Sequence, residues 1–325
     1  MRALQFTSAA NDARATRITR VSTPRPAASE VTIDVEYAGI NFKDVMARRG
    51  DTGYVDEWPF VPGLEAAGTV REVGAGVTDL ARGDRVVAFT GQGALAEVVT
   101  APAALVCRVP DGLVLADAAA APGVLLTARL LEDAVGGVTR DHVVLVHSAA
   151  GGVGQAVAQA VRARGARLLG AVGHRSRVQA ALDAGYEEVF VRGPELAREI
   201  AAAAGDRGVD VILDPQGTTM LAVDLEVAAP GARIVVFGNA AGAPFDPVAV
   251  GRLMAGNVSL GGFSLSALAA QDPDRVARAL DDVLRRLARG ELAVATAVSE
   301  GLEAAPGLHD ALAGGYSGAK PLIHL

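Results

Sequence analysis

The chain has 325 residues, of which 50% are apolar and 21% are charged, and its formal net charge at pH 7 is −7. This composition is that of an ordered globular protein, and the length exceeds what one hydrophobic core usually organises, so two domains are expected. Because nucleic-acid backbones bind clustered Lys and Arg, the acidic balance argues against a nucleic-acid partner.

Export, membrane insertion and disulfide bonding have little support in the sequence. The first residues lack an apolar segment of signal-peptide length, so a cytoplasmic location is expected. The long uncharged run at residues 142–161 is interrupted by glycines and glutamines, which argues against a membrane span. The single cysteine, Cys107, is predicted to be a small buried hydrophobe in a strand-like segment rather than a nucleophile.

The first part of the chain has the alternation of apolar and polar residues that is typical of strands. Val31, Ile33, Val35 and Tyr37 alternate with polar residues, and similar short segments recur between turns that contain Gly and Asp. Residues 1–121 are therefore predicted to form a β domain.

After Pro122 short β-like runs alternate with helical periodicity, which indicates parallel βαβ units. The predicted strands are residues 143–148, 167–172, 188–191, 209–214 and 232–237. We predict an α/β protein in which residues 122–259 form a doubly wound parallel sheet. The tail carries a predicted helix at 274–288, a strand near 292–298, a further helix and a terminal apolar segment. Residues 260–325 are expected to return to the first domain.

A glycine-rich turn follows the first of these predicted strands and opens a predicted helix. Its residues are Ala150, Gly151, Gly152, Val153 and Gly154. Such a turn places unpaired backbone N–H groups and the positive end of a helix against a pyrophosphate, and absent side chains permit close approach. A plain tight turn is the alternative, but the flanking strand and helix favour dinucleotide binding.

The end of the second predicted strand indicates which dinucleotide binds. An acidic residue there would accept hydrogen bonds from the ribose 2′-OH of NAD, whereas this sequence has Gly173, His174, Arg175, Ser176 and Arg177. Two guanidinium groups and a hydroxyl favour a 2′-phosphate, so NADPH is the predicted cofactor. The alternative is that the two arginines lie at the exposed start of a helix and do not bind a cofactor.

Several stretches, in this order, resemble the medium-chain dehydrogenase/reductase superfamily, and within it the quinone oxidoreductase and enoyl reductase branch. They are residues 38–44, 62–68, 83–86, 127–128, 149–154, 230–233 and 237–239. The resemblance implies a GroES-like β domain, a Rossmann domain for NADPH, and an active site in the cleft between them. It also implies a homodimer that pairs strands near residues 257–264.

Zinc-dependent members of the superfamily carry metal ligands at the positions of Asn41, Leu64 and Gly123, and none of these residues is a thiol or an imidazole. The histidines also show no paired spacing, so we predict that the chain holds no metal. Without a Lewis acid, the enzyme is expected to favour an acceptor that conjugation already polarises. Hydride would add to the β-carbon of an enone or enoyl thioester, and a proton would reach the α-carbon.

Asn41, Asp44 and Tyr54 are the candidate catalytic residues. In the family that the chain resembles, Asn41 follows a strand entering the cleft, where its amide could donate to a substrate carbonyl or hold the nicotinamide ribose. Asp44, three residues later, would lie on the same side of a short helix as Asn41, where its carboxylate could orient neighbouring groups. Tyr54 could donate a proton to an enolate. Each residue also has a structural alternative. Asn41 could be an ordinary turn residue, Asp44 a carboxylate in the first turn of a helix, and Tyr54 a side chain that only packs against its neighbours. Lys43 is expected to face water.

The resemblance extends to further cofactor contacts. Thr127 matches a threonine that faces the nicotinamide, and Gly238 and Asn239 match positions beside the cofactor. Phe263 lies in a segment whose backbone meets the carboxamide, and Lys320 resembles a lysine of a C-terminal motif. Structural packing is the alternative for each.

Three functions follow from these residues. The first is an NADPH-dependent reductase of activated C=C bonds, related to polyketide enoyl reductase domains, and the second is an NADPH:quinone reductase. The third is a non-catalytic NADPH-binding protein. The acceptor is expected to be a small molecule, whose identity the sequence does not determine.

Overall fold

A computed structural model describes residues 1–316 and 318–325 of the chain. The chain divides into two compact units, one made of Met1–Leu126 and Ser266–Leu325 and the other of Thr127–Leu265. The first unit thus contains both ends of the chain, and the second is a continuous insertion. The observed boundaries lie a few residues beyond the predicted 121/122 and 259/260.

Strands form most of the first unit, and strands alternate with helices in the second. In chain order the strands are β1 (Arg2–Phe6), β2 (Thr16–Arg20), β3 (Glu30–Gly39), β4 (Glu65–Val73), β5 (Arg85–Phe89), β6 (Val98–Pro102), β7 (Val106–Arg108), β8 (Val143–His147), β9 (Arg167–Val172), β10 (Glu188–Val191), β11 (Val209–Asp214), β12 (Ala228–Val236), β13 (Ser259–Gly262), β14 (Thr296–Glu300) and β15 (Lys320–His324). The helices are α1 (Phe42–Arg49), α2 (Leu115–Ala119), α3 (Thr127–Ala134), α4 (Gly152–Ala163), α5 (Val178–Ala184), α6 (Leu196–Ala204), α7 (Leu221–Val227), α8 (Val250–Gly256), α9 (Leu265–Gln271), α10 (Pro273–Ala288) and α11 (Ala305–Ala313).

The first unit is built on a seven-stranded sheet. Its strand order is β14-β15-β3-β4-β5-β7, and β6 also pairs with β3. The alternation predicted along β3 places Val31, Ile33 and Val35 in the core, while Asp34 and Glu36 are exposed. The C-terminal strand β15 pairs antiparallel with β3, so the tail completes the sheet that the N-terminal part begins.

The second unit is a parallel sheet of six strands in the order β10-β9-β8-β11-β12-β13. This order reverses direction between β8 and β11, as in doubly wound dinucleotide-binding folds, and confirms the predicted fold class. Strands β9, β10 and β11 have the predicted bounds, and the apolar runs of the central strands are buried on both faces. Among the described residues, β13 adds a sixth strand at the edge, which the sequence did not predict in this sheet.

Candidate active site

The glycine-rich turn links β8 to α4 at the point where the strand order reverses. Ser148 leaves the strand with a φ of +57°, a left-handed conformation that costs free energy for a residue with a side chain. A Cβ on Gly154 would lie 2.5 Å from the carbonyl oxygen of Ala149, so glycine alone fits there. The helix therefore begins directly against the turn.

The start of α4 offers donors to an anion. Gly151 caps the helix without a side-chain hydrogen bond, and the first helical bond runs from Gln155 N to Gly151 O at 2.9 Å. The backbone N–H groups of residues 152–154 precede that bond and have no partner within the helix. Gly152 is exposed at this end. These features fit the pyrophosphate of a dinucleotide, as the sequence predicts.

A buried hydrogen-bonded chain supports the turn from the neighbouring strand. Gln216, which follows β11, donates from Nε2 to Ser148 Oγ at 2.7 Å. Its backbone N–H donates to Asp214 Oδ1, also at 2.7 Å. Asp214, the last residue of β11, is thus connected through Gln216 to Ser148, the strained residue of the turn.

Beneath this connection lies a buried cluster of ionisable side chains. His147 Nε2 lies 2.7 Å from Asp224 Oδ1, and both side chains are fully buried, as is Asp214. Burial disfavours the imidazolium, but the hydrogen bond and charge of Asp224 outweigh it and raise the pKa of His147. Burial also raises the pKa of Asp214 to about 7, although His147 and Arg192 oppose this shift.

The guanidinium of Arg192 lies at the carboxyl ends of β9 and β10, beside Gly173. A Cβ on Gly173 would overlap the guanidinium of Arg192, so the glycine leaves the space that this side chain occupies. Burial lowers the pKa of Arg192, and the charge of Arg177 lowers it further. Within the described residues, the guanidinium of Arg192 makes no hydrogen bond or ion pair.

Sequence reasoning missed Arg192 because it considered only residues directly after β9. Arg192 follows β10, and the pairing of β10 with β9 brings it beside Gly173. The other predicted residues here have surface positions. His174 and Arg175 are exposed, and His174 Nδ1 lies 2.8 Å from Ser176 Oγ at the start of the next helical turn.

The remaining predicted cofactor residues of the second unit lie at several element ends. Thr127 is buried at the start of α3, and Gly238 and Asn239 follow β12. Asn239 donates from Nδ2 to the carbonyl of Ala243 at 2.8 Å. Phe263 follows β13, and its N–H donates to the carbonyl of Val236 at 2.9 Å. Residues 238, 239 and 263 thus follow neighbouring parallel strands at one edge of the sheet.

In the first unit, the side-chain amide of Asn41 is hydrogen-bonded to other residues of the protein. Its Nδ2 donates to Glu65 Oε1 at 2.8 Å and to the carbonyl of Gly39 at 3.3 Å. Lys320 Nζ donates to Asn41 Oδ1 at 2.5 Å and to the carbonyl of Ile40 at 2.9 Å, and it lies 2.7 Å from Glu65 Oε1. Both hydrogens of the Asn41 amide and all three of the Lys320 ammonium thus have partners within the protein. This arrangement favours a role for Asn41 and Lys320 in holding the local structure together.

Asp44 has the position of a first-turn carboxylate. Its Oδ2 accepts from the backbone N–H of Asn41 at 2.8 Å, and its Oδ1 accepts from Gly63 N–H at 3.0 Å. The imidazole of His309 lies 3.6 Å from Oδ2 and is fully buried. Asp44 therefore caps α1 and joins it to the segment that precedes β4.

Comparison with known proteins identifies the family. Residues 27–111 match the alcohol dehydrogenase GroES-like domain, and residues 152–285 match the zinc-binding dehydrogenase family. A mycobacterial protein solved in complex with NADPH is 31% identical, with a TM-score of 0.91 and full coverage of both chains. The quinone oxidoreductase of Escherichia coli, also solved with NADPH, is 27% identical, with a TM-score of 0.90 and full coverage of both chains. This chain belongs to the medium-chain dehydrogenase/reductase superfamily, in its quinone oxidoreductase branch.

Curated relatives of this medium-chain dehydrogenase/reductase are similar over part of their length. A probable quinone oxidoreductase of Schizosaccharomyces pombe is 37% identical over 222 residues, which are 68% of this chain and 66% of that protein. The pikromycin polyketide synthase component PikAII of Streptomyces venezuelae is 36% identical over 213 residues, which are 65% of this chain and 6% of that protein. The chain thus spans less than two thirds of either relative.

Tyr54, the third predicted catalytic residue of this medium-chain family member, is not bonded to Asn41 or Asp44. Its ring packs partly buried against the core of the first unit, and its phenol makes no hydrogen bond within the described residues. Burial raises the pKa of Tyr54, and the carboxylate of Asp51 raises it further. The phenol is therefore protonated at neutral pH and keeps its donor for a ligand.

Lys43 does not face water as expected. Its ammonium donates to the carbonyl of Gly91 and to Ser266 Oγ, both at 2.9 Å, and the residue is partly buried. Burial lowers the pKa of Lys43, and the charge of Asp44 partly offsets this effect. The expectation was wrong because residues 91 and 266, distant in sequence, fold over this side of α1.

Cys107 is a small side chain in β7 that is partly buried, rather than fully buried as predicted. Its Sγ lies 3.8 Å from the carbonyl of Ala277, and burial raises the pKa of the thiol to about 12. Among the described residues, no group of three or more His, Cys, Asp and Glu side chains is arranged to hold a metal ion. No helix in the described ranges has both the length and the apolar character needed to cross a membrane.

Proposed function

We propose that the protein is an NADPH-dependent reductase that delivers hydride to an activated C=C bond of an enone or an enoyl thioester. The observation that carries the cofactor assignment is the guanidinium of Arg192 beside Gly173. Arg192 has five N–H donors and no protein acceptor among the described residues, although it is partly buried beside the like charge of Arg177. A phosphate dianion would stabilise Arg192 in these surroundings.

The rest of the second unit fits the same cofactor. The helix start at residues 152–154 suits a pyrophosphate, and Gly173 stands where an NAD-specific site would have a carboxylate nearby. The mycobacterial protein and the Escherichia coli enzyme were both solved with NADPH. We therefore assign the 2′-phosphate to Arg177 and Arg192, and the pyrophosphate to the turn from Ala150 to Gly154.

Tyr54 is the proposed proton source for the reduction. When bound, NADPH supplies a hydride from C4 of its nicotinamide ring. Addition of that hydride to the β-carbon of a conjugated carbonyl compound leaves an enolate, which needs one proton at the α-carbon to give the saturated product. Tyr54 is protonated at neutral pH and its hydroxyl has no internal partner among the described residues, so it is suited to donate that proton directly or through water. The similarity to a polyketide synthase component is consistent with a thioester acceptor.

Reduction of quinones is the second candidate. Two relatives carry that function in their names, the fission yeast protein and the Escherichia coli enzyme. A quinone is also a conjugated carbonyl compound, so the same hydride donor and the same phenol would serve. The two reactions differ in the shape of the acceptor rather than in the groups required.

The test is the oxidation of NADPH, followed at 340 nm, with 1,4-naphthoquinone, 2-cyclohexen-1-one and crotonyl-CoA as acceptors. Faster turnover of the enone or the thioester supports the first proposal, and turnover of the quinone alone supports the second. A protein that binds NADPH tightly but reduces none of the acceptors would be a non-catalytic binder. NADH serves as the control, and equal use of NADH would contradict the assignment of Arg177 and Arg192.

We also propose a homodimer that extends the parallel sheet through β13. This strand lies at the sheet edge, where its outer N–H and C=O groups have no neighbouring strand among the described residues. Phe245 and Met254 nearby in sequence are 66% and 74% exposed. Sedimentation equilibrium tests this proposal. The register of β13 with β12 turns the backbone N–H of Gly262 toward the open edge, so Gly262→Pro is expected to shift the protein toward monomer.

A further inference from the structure

The carboxylate of Glu65 is a buried group to which the proposed reaction gives no role. Glu65 begins β4 and is fully buried. Its Oε1 accepts from Asn41 Nδ2 at 2.8 Å and lies 2.7 Å from Lys320 Nζ. Its Oε2 accepts from the backbone N–H of Gly123. The carboxylate of Glu65 therefore joins β4 to three other segments that are far apart in the sequence.

Two glycines provide the space for this carboxylate. A Cβ on Gly123 would lie 2.5 Å from Asn41 Oδ1 and 2.7 Å from Glu65 Oε1, and a Cβ on Gly39 would overlap the carboxylate of Glu65. Neither glycine has a positive φ, so their backbone conformations are open to other residues. Glu65 therefore explains the missing side chain at position 39, and Glu65 and Asn41 together explain the one at position 123.

The charges around Asn41 select one orientation of its amide. The amide oxygen faces the ammonium of Lys320, and the amide nitrogen faces the carboxylate of Glu65. An amide rotated by half a turn would place its oxygen against the carboxylate and its NH₂ group against the ammonium. Both contacts would be repulsive, so a pair of opposite charges fixes the side chain.

We propose that Glu65 is a positioning residue of the reductase, acting with Lys320 to hold Asn41 and the segment at Gly123 in a single arrangement. Gly123 lies in the π-helical turn Pro122–Leu126, which runs directly into α3 and its first residue, Thr127. The two oxygens of the Glu65 carboxylate thus hold Asn41 and the helical segment that leads to Thr127, the predicted nicotinamide contact. The kinetic part of this inference rests on the proposed function.

The decisive variant is the double substitution Glu65→Gln/Lys320→Met, which removes both buried charges and nearly preserves volume. A neutral replacement of a buried ion pair is generally tolerated, so this variant is expected to fold. Glu65→Asp is the second variant, since it keeps the charge and withdraws the carboxylate by one methylene. The matched control is Asp34→Asn/Arg71→Met, which removes an exposed ion pair of 2.8 Å in the same unit.

We expect kcat for the fastest acceptor of the panel to fall about tenfold or more in both Glu65 variants, since small displacements in a reacting site are costly. The KM for NADPH should change by less than about threefold. The isotope effect on kcat with NADPH deuterated at the transferred C4 position should rise, because hydride transfer becomes slower relative to product release. The control should match the wild type in all three quantities.

The second readout is the NMR signal of the Asn41 side-chain amide, identified by its loss in Asn41→Asp. In the wild type its hydrogens should exchange slowly with solvent, and in the double variant the signal should move and exchange faster. A folded double variant with wild-type kcat, or with an unchanged Asn41 amide, would overturn the proposal. If the wild type reduces no acceptor, the proposed function fails, while the amide signal still decides whether Glu65 holds Asn41.

Discussion

Asp214 offers a quantitative test of the buried cluster under the cofactor turn. Its pKa is raised to about 7 from an ordinary value of 3.8, mainly because its carboxyl group is buried. Between these two pH values the unfolded chain has lost the proton while the folded protein retains it. The unfolded state then binds fewer protons, so the free energy of unfolding falls as the pH rises and levels off above about 7.

The expected magnitude follows from the part of this interval that is accessible to experiment. The full slope is about 1.4 kcal/mol per pH unit and falls off as the pH approaches 7, so Asp214 should cost the wild type about 2 kcal/mol of stability between pH 5 and pH 7. In Asp214→Asn this contribution disappears, while the side-chain oxygen can still accept from Gln216 N–H. The variant should therefore gain about 2 kcal/mol relative to the wild type as the pH rises over that interval.

The assay is urea unfolding followed by circular dichroism at pH 5, 6, 7 and 8, with wild type and variant measured in parallel. Asp141→Asn is the control, since the Asp141 side chain is 75% exposed. Its difference from the wild type should not change with pH. Parallel stability curves for the wild type and Asp214→Asn would refute the reasoning, because the carboxyl would then titrate as it does in the unfolded chain.

Three further predictions concern the site and the thiol. Arg192→Ala should weaken NADPH binding by about 10- to 100-fold, because a charge-assisted contact contributes roughly 1.5–3 kcal/mol, and should leave NADH binding nearly unchanged in fluorescence titrations. Tyr54→Phe should lower kcat for the enone about 100-fold while the Kd for NADPH stays constant, and an unchanged kcat would remove the phenol from the mechanism. Cys107 should resist iodoacetamide in the native protein at pH 8 and react after unfolding in urea, because burial keeps its thiol protonated.

The second unit was predicted in detail because its strands are continuous apolar runs separated by turn residues. Strands β9, β10 and β11 have the predicted bounds, and the glycine turn was identified by the strand before it and the helix after it. The strand β13 escaped prediction within the sheet, since the segment Ser259–Gly262 has two glycines and one large apolar residue. Its place depends on pairing with β12, which a local pattern does not contain.

The chemistry of the site was less predictable, because several side chains are defined by partners distant in the sequence. Arg192 reaches Gly173 only through the pairing of two strands. Glu65 lay within a stretch that carried the family resemblance, yet its role depends on Lys320, 255 positions later in the chain. The predicted role of Asn41 as a donor to substrate also depended on its hydrogen-bond partners, which the sequence alone did not provide.

The space shared by Glu65, Gly39 and Gly123 has a consequence for mutational studies of this protein. An alanine at position 39 would occupy the volume of the Glu65 carboxylate, whereas an alanine at position 123 would press on both Asn41 Oδ1 and that carboxylate. We expect either alanine to be harmful alone, and a shorter acidic side chain at position 65 to compensate partly for the one at position 39. Libraries that vary these three codons one at a time would therefore miss functional combinations, and the three positions are best varied together.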